Sequence, residues 1–259
     1  MKIKQVRNAT LLVEFGGSRF LIDPFLAEKD TYPGIPGTVN DHIRNPRVEL
    51  ATPMEEILDV DAVIVTHTHE DHWDEAAIRI IPKDLPLFAQ HEDDAALIRE
   101  QGFTDVRLLR ESTQFQQVTI IKAPGQHGSD EAISVMGDIL GQVCGLVFQH
   151  IDERVLYVAG DTIWNQYVES NLEAYTPDVI VLNAGDAQVP GVGSIIMNTE
   201  DVKRVYDASP QATLIASHME TVNHCVLTRA ELKAFSEKHG MTDRLVIPAD
   251  NESYYSRLT

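Results

Sequence analysis

The segment Asp61–His72, DAVIVTHTHEDH, sets the strongest constraint on what this chain can fold into. Ala62–Val65 is an uninterrupted apolar run, which reads as a strand buried on both faces. His67, His69, Asp71 and His72 follow immediately. The fold must therefore hold the strand inside a core and still gather these polar groups at its carboxyl end. His67 and His69 lie two residues apart, so in an extended or turning segment they face the same side. Asp71 and His72 fall where the next helix begins and offer a second direction. That helix is announced by Trp73, Ala76, Ala77, Ile80 and Ile81, a single helical stripe stopped by Pro82.

The same arrangement recurs three times. His127 follows VTIIKAPGQ, Asp161 follows VLYVAG and His218 follows TLIAS, each just past an apolar run. Strand ends are rigid and share a rim, which is where layered α/β proteins collect ligands. Neutral imidazole and carboxylate suit Zn²⁺, Mn²⁺ or Fe. Taken singly, a histidine after a strand reads equally well as an ordinary structural residue, and Gly160-Asp161-Thr162 as a turn and helix cap. Added to the first motif, the three residues complete the set a two-metal site requires.

The rest of the chain reads as mixed α and β, one domain over 1–259. TLLVEFGGSRFLIDP is a hairpin turning at Gly16-Gly17. Residues 24–53 show neither period and read as a long loop forming a lid or site wall, with Tyr32, His42 and Arg44 as candidate substrate contacts. Further apolar runs, read with the strands, lie at 118–121, 133–136, 143–148, 155–158, 179–182 and 213–216. Helical patterns cover roughly 93–101, 164–172, 201–206 and 228–238, the last with a Thr228/Glu231 capping box and Gly240 beyond its end. Two cysteines without a CxxC exclude a thiolate zinc site or disulfide framework. A formal charge of −19 disfavours nucleic acid and anionic membranes. The first residues lack a signal-peptide pattern, so a cytoplasmic protein is expected. Homo-oligomerisation is left open.

The motifs THTHEDH, GQHG, AGDT and ASH, in this order, resemble those of the metallo-β-lactamase-fold hydrolase superfamily. The opening RNATLLVEFGGSRFLIDP and the segment SHMETVNH are most similar to its branch of ascorbate-6-phosphate lactonase-like metal-dependent hydrolases. The resemblance implies an αββα sandwich with a binuclear centre at one edge. It implies one metal on His67, His69 and His127, a second on Asp71, His72 and His218, and Asp161 bridging them. Zn²⁺ or Mn²⁺ is expected, one ion sufficing in some members. This chain carries Arg7-Asn8 where relatives often have Gly-His or Gly-Gln, which bears on substrate identity.

Two cations about 3.5–4 Å apart lower the pKa of a bridging water toward ~7 and polarise the bond under attack. The expected activity is therefore hydrolysis by metal-bound hydroxide of a small substrate, anionic ones included: an ester, lactone or phosphoester, with a sugar-phosphate lactone among them. Asp71 is expected to orient the nucleophile and collect its proton. Asp23 is expected to support a ligand histidine from behind. Glu220, Asn223 and His224 are candidates for lining the pocket, with weaker claims for Asn183 and Asp186. The competing readings are a diiron-type oxidoreductase of the same fold and a non-catalytic metal-binding protein.

Overall fold

The computed structural model describes residues 1–256. The amino-terminal half supplies β1 (Lys2–Arg7), β2 (Thr10–Phe15), β3 (Ser18–Ile22), β4 (Ala62–Val65), β5 (Leu87–Ala89) and β6 (Val106–Leu108). β7 (Thr113–Phe115), β8 (Val118–Pro124), β9 (Cys144–Gln149), β10 (Leu156–Val158) and β11 (Val179–Asn183) follow. The short pair β12 (Gln188–Val189) and β13 (Gly193–Ser194) precedes β14 (Thr213–Ser217), β15 (Leu245–Val246) and β16 (Ser253–Tyr255). One seven-stranded sheet has the order β16-β1-β2-β3-β4-β5-β6, the other β15-β14-β11-β10-β9-β8-β7.

Alternation along the strands builds three apolar layers. Ala62 and Ile64 of β4 point between the sheets, where they join Phe20, Phe148, Val158 and Val181. Val63 and Val65 point the other way, against Ile57, Trp73, Ala77 and Ile98. These last belong to or flank α1 (Met54–Leu58), α2 (Glu75–Ile80) and α3 (Glu92–Glu100). α4 (Asp130–Leu140) adds Ala132 and Leu140 to the same layer. On the far side, Ile180 and Leu182 of β11 pack with Val168, Leu172, Val202, Val205 and Leu232. Those come from α5 (Gln166–Tyr175), α6 (Thr199–Ala208) and α7 (Arg229–Lys238). The result is the expected αββα sandwich. Phe148 sits at its centre with its ring 5.4 Å from that of Phe20 and 5.7 Å from that of Phe15. Each such buried side chain contributes roughly 1.5–3 kcal/mol by leaving water.

The hairpin and the 228–238 helix form as expected, the latter with its capping box intact. The apolar run 133–136 does not make a strand. Ser129 caps Ala132 N, Asp130 and Glu131 occupy the first turn, and the run becomes part of α4, which is interrupted at Met136 (φ −141°, ψ 27°). Residues 24–53 contain no helix or strand, only an isolated bridge between Tyr32 and Asn45. Among the described residues no helix is long and apolar enough to cross a membrane.

Candidate metal centre

β3 and β4 are parallel in one sheet, and β10, β11 and β14 are parallel in the other. β8 shares the direction of β10, because both run antiparallel to β9. Their carboxyl ends meet on one rim. There stand Asp23 after β3, the 67–72 segment after β4, His127 after β8, Asp161 after β10, Asn183 ending β11 and His218 after β14. Two glycines let the backbone pass closely enough. Gly160 has φ 72°, and a Cβ on it would lie 2.7 Å from the Cys144 carbonyl oxygen. A Cβ on Gly185 would come within 2.0 Å of the His218 carbonyl oxygen. His218 itself adopts a left-handed φ of 57°, held by its N–H donating to Asn8 O at 2.9 Å.

All seven side chains singled out by the motifs converge. Nε2 of His72, His127 and His67 lies 3.1, 3.4 and 3.8 Å from Asp161 Oδ2. His218 Nε2 lies 3.1 Å from Asp71 Oδ2 and 3.7 Å from Asp161 Oδ1. Three overlapping groups bring their ligand atoms within 4.8 Å of one another: His67/His69/His127, His67/His72/Asp161 and Asp71/His72/His218. Asp161 is thus the residue standing between the outer two.

A ring of partners orients the cluster from behind. Asp23 Oδ2 accepts from His72 Nδ1 at 2.9 Å, and both its oxygens take hydrogen bonds from Thr66. His127 Nδ1 donates to Ile195 O at 3.0 Å, which turns Nε2 inward. Asn183 Nδ2 donates to Asp161 Oδ1 at 2.6 Å. Asn8 Nδ2 donates to the Asp71 carbonyl at 3.0 Å and to its carboxylate at 3.3 Å. Such partners fix ring orientation and tautomer.

The electrostatics are those of a site short of positive charge. Burial alone would raise Asp71 and Asp161, yet His72 and His218 outweigh it and hold both well below the usual carboxylate range. Burial would likewise lower His72 and His218. The carboxylates win there too, pushing His72 up to about 10 and His218 well above the ordinary value. His67 and His127 lose to burial and stay neutral, His127 at about 4. Asp23, Asp71 and Asp161 are buried and meet imidazoles but no Lys or Arg among the described residues. His67 Nε2 is sealed from solvent without any hydrogen-bond partner. Three buried carboxylates whose charged partners are imidazoles alone, and an orphaned imidazole nitrogen, fit a divalent cation.

Residues 18–219 match the family model of the beta-lactamase superfamily domain. The chain belongs to that superfamily. Within the superfamily it is 46% identical over 256 residues to the UPF0173 protein YddR of Bacillus subtilis, covering 98% of this chain and 99% of that one. A UPF0173 metal-dependent hydrolase of Pyrococcus abyssi is 27% identical over 85% of each chain. The crystal structure of an isothiocyanate hydrolase from Delia radicum gut bacteria superposes with a TM-score of 0.97 at 50% identity, over 100% of both chains. This beta-lactamase superfamily member is accordingly a metal-dependent hydrolase of the UPF0173 group.

A cavity of about 450 Å³ opens on the cluster. His69, Asp71, His127 and Asp161 form its floor, and Pro33–Thr38 of the long loop forms one wall. Met136, Ile139 and Leu140 of α4, with Val189 and Ile195, form the rest of its apolar lining, and His224 also borders it. Asn183 stands behind Asp161 rather than in the wall.

Several expectations need correction. Glu220 does not line the cavity: its carboxylate pairs with Arg229 at 2.6 Å, and Arg229 in turn holds Asp250. Tyr32 is buried, and Arg44 donates to the carbonyls of Asp30 and Thr31, so both organise the loop itself. His42 is likewise absent from the lining. Asn223 anchors the loop, accepting from Ile35 N at 2.9 Å and donating to Thr38 Oγ1 and Val39 O at 2.8 Å. Cys225 sets its sulfur 3.4 Å from His218 Nδ1. The contribution of α4 was hidden by its short apolar run, although Ser129-Asp130-Glu131 is a helix-start signal.

Proposed function

We propose that this chain hydrolyses isothiocyanates carrying a small apolar substituent. The observation that carries the reading is the cavity: its floor is the His/Asp cluster, its walls are apolar apart from Thr38, Glu70 and His224, and no Lys or Arg lines it among the described residues. An uncharged R–N=C=S molecule has the matching anatomy, an electrophilic carbon beside an apolar group. The 50% identity to the isothiocyanate hydrolase from Delia radicum gut bacteria supports the same assignment. A phosphoester or sugar-phosphate lactone would place an anion against these walls without a basic side chain to receive it, so we favour it less.

His67, His69 and His127 would hold one divalent cation and Asp71, His72 and His218 a second, with Asp161 shared. The bound metal would supply a Lewis acid and an acidified water. The chain's own residues do the rest. Asp71, held ionised and oriented by Asn8, accepts a hydrogen bond from the attacking water and takes its proton. The apolar walls hold the substituent and exclude competing water. Water oxygen bonds to the central carbon, the C=N electron pair moves to nitrogen, and nitrogen takes up the proton held by Asp71, giving R–NH–C(=S)–OH, whose remaining hydroxyl proton shifts to sulfur to give the tautomer R–NH–CO–SH. Loss of carbonyl sulfide with transfer of the thiol proton then leaves R–NH₂.

The test is an assay of the purified chain, supplied separately with Zn²⁺ and Mn²⁺, on benzyl isothiocyanate and on a phosphorylated lactone. Metal-dependent release of benzylamine and carbonyl sulfide is expected. Turnover of the lactone with an inert isothiocyanate would overturn the reading.

A further inference from the structure

Of the cavity's polar side chains, four belong to the cluster. Thr38 Oγ1 is spent on the Ile35 carbonyl at 2.7 Å, and Glu70 offers an acceptor when ionised. His224 remains. It is 6% exposed, and its Nδ1 is sealed from solvent with no hydrogen-bond partner. Burial lowers its pKa to about 4, so the ring is neutral near pH 7 and carries one proton. Orphaned buried N–H groups are rarer than under-used acceptors, which puts that proton on Nε2. The backbone around it is fixed. Asn223, the preceding residue, is tied to the long loop through Ile35 N, His224 O accepts from Gln188 N at 3.0 Å, and Cys225 bridges to Ala187.

We propose that His224 is a catalytic hydrogen-bond donor, its Nε2–H directed at the substrate nitrogen on which negative charge collects during attack. The proposal rests on the isothiocyanate reading above. His224 keeps its proton throughout: the bond-making and bond-breaking are those already given, with the proton reaching nitrogen from Asp71. A neutral imidazole is suited to this work because it donates without bringing a full charge into an apolar pocket.

The experiment compares the intact chain with His224→Phe and His224→Gln, all loaded with the same metal, on benzyl isothiocyanate. The Phe variant should lose ~10²-fold in kcat, with KM and bound metal little changed, as when a single donor to developing charge is removed. The Gln variant, whose amide N–H can replace the donor, should recover part of that loss. Long-range ¹H–¹⁵N spectra of the unsubstituted protein should show the Nε2-protonated tautomer. An unchanged kcat in the Phe variant, equal losses in both variants, loss of metal, or the Nδ1 tautomer would each overturn the proposal. A wild-type protein inert to isothiocyanates would instead remove the reading on which it stands, and this proposal with it.

Discussion

The Nε2 atoms of His72 and His218 face one another across 3.2 Å. At that distance the two nitrogens can share a proton or a cation, and each also has a carboxylate oxygen at 3.1 Å. Both rings are pushed toward their protonated forms, because Asp71 and Asp161 demand positive charge from them. Protons therefore stand in for metal in the metal-free protein, and loading must expel them. Calorimetric titration of Zn²⁺ into metal-free protein at pH 7, repeated in buffers of different ionisation enthalpy, should show release of at least ~1 proton per chain. Heats independent of the buffer would contradict this.

Asp23 lies behind His72 and also braces Thr66. Replacing it with Asn removes the charge while keeping the shape. Metal affinity, measured by competition with a chelator, should fall ~10- to 100-fold while the fold survives. Undiminished affinity would show that the cluster needs no such support.

His224 also predicts how stability changes with pH. Its folded value of about 4 lies below the ordinary 6.5, so between these limits the unfolded chain binds more protons. Its contribution is fully present above 6.5 and is lost as pH falls through 4. Denaturation of metal-free protein across this window should show His224→Phe losing less stability on acidification than the wild type, by on the order of 1 kcal/mol per pH unit. Parallel curves would refute the assignment.

Asp74 joins two elements. One oxygen caps α2 through Ala77 N at 2.7 Å, while the other accepts from Leu26 N, Ala27 N and Tyr32 Oη. Asp74→Ala should cost about 3 kcal/mol in urea unfolding, combining a lost cap with stranded buried amides. A cost below ~1 kcal/mol would mean the loop is held elsewhere.

The α4 wall makes selectivity adjustable. On the isothiocyanate reading proposed above, Met136→Trp fills part of the cavity and should lower kcat/KM for phenethyl isothiocyanate ~10-fold or more relative to allyl isothiocyanate. Equal effects on the two substrates would place the substituent away from α4.

Much of this was legible in the sequence where the signals were local. The Gly16-Gly17 hairpin, the β4 strand and the Thr228/Glu231 capping box each declare themselves within a few residues. The convergence of the 67–72 motif with His127, Asp161 and His218 was legible because each follows an apolar run and the motifs come in a familiar order; that the strands share a direction is shown only by the sheets. Long-range relationships were not. Asn8 reaches Asp71 and His218 from 63 and 210 residues away; the departure at Arg7-Asn8 marks the position but says nothing of these partners. Glu220 misled through proximity: it lies two residues after His218, but its own left-handed φ of 63° accompanies a side chain committed to Arg229. β1 and β16 escaped notice because KIKQVR and SYY carry too little apolar alternation to stand out, and pairing with each other and with β2 completes them.

The long loop touches the cavity with Pro33–Thr38 but is pinned at other points, by Asp74 near its start and by Asn223 across its middle. Diet and reactivity are thereby written in different places. Changes at Ile35 or Pro36 could redraw the mouth's appetite for one organic group over another while the buried carboxylates and imidazoles stay untouched. A lineage built on this scaffold could thus move between substrates without relearning its chemistry.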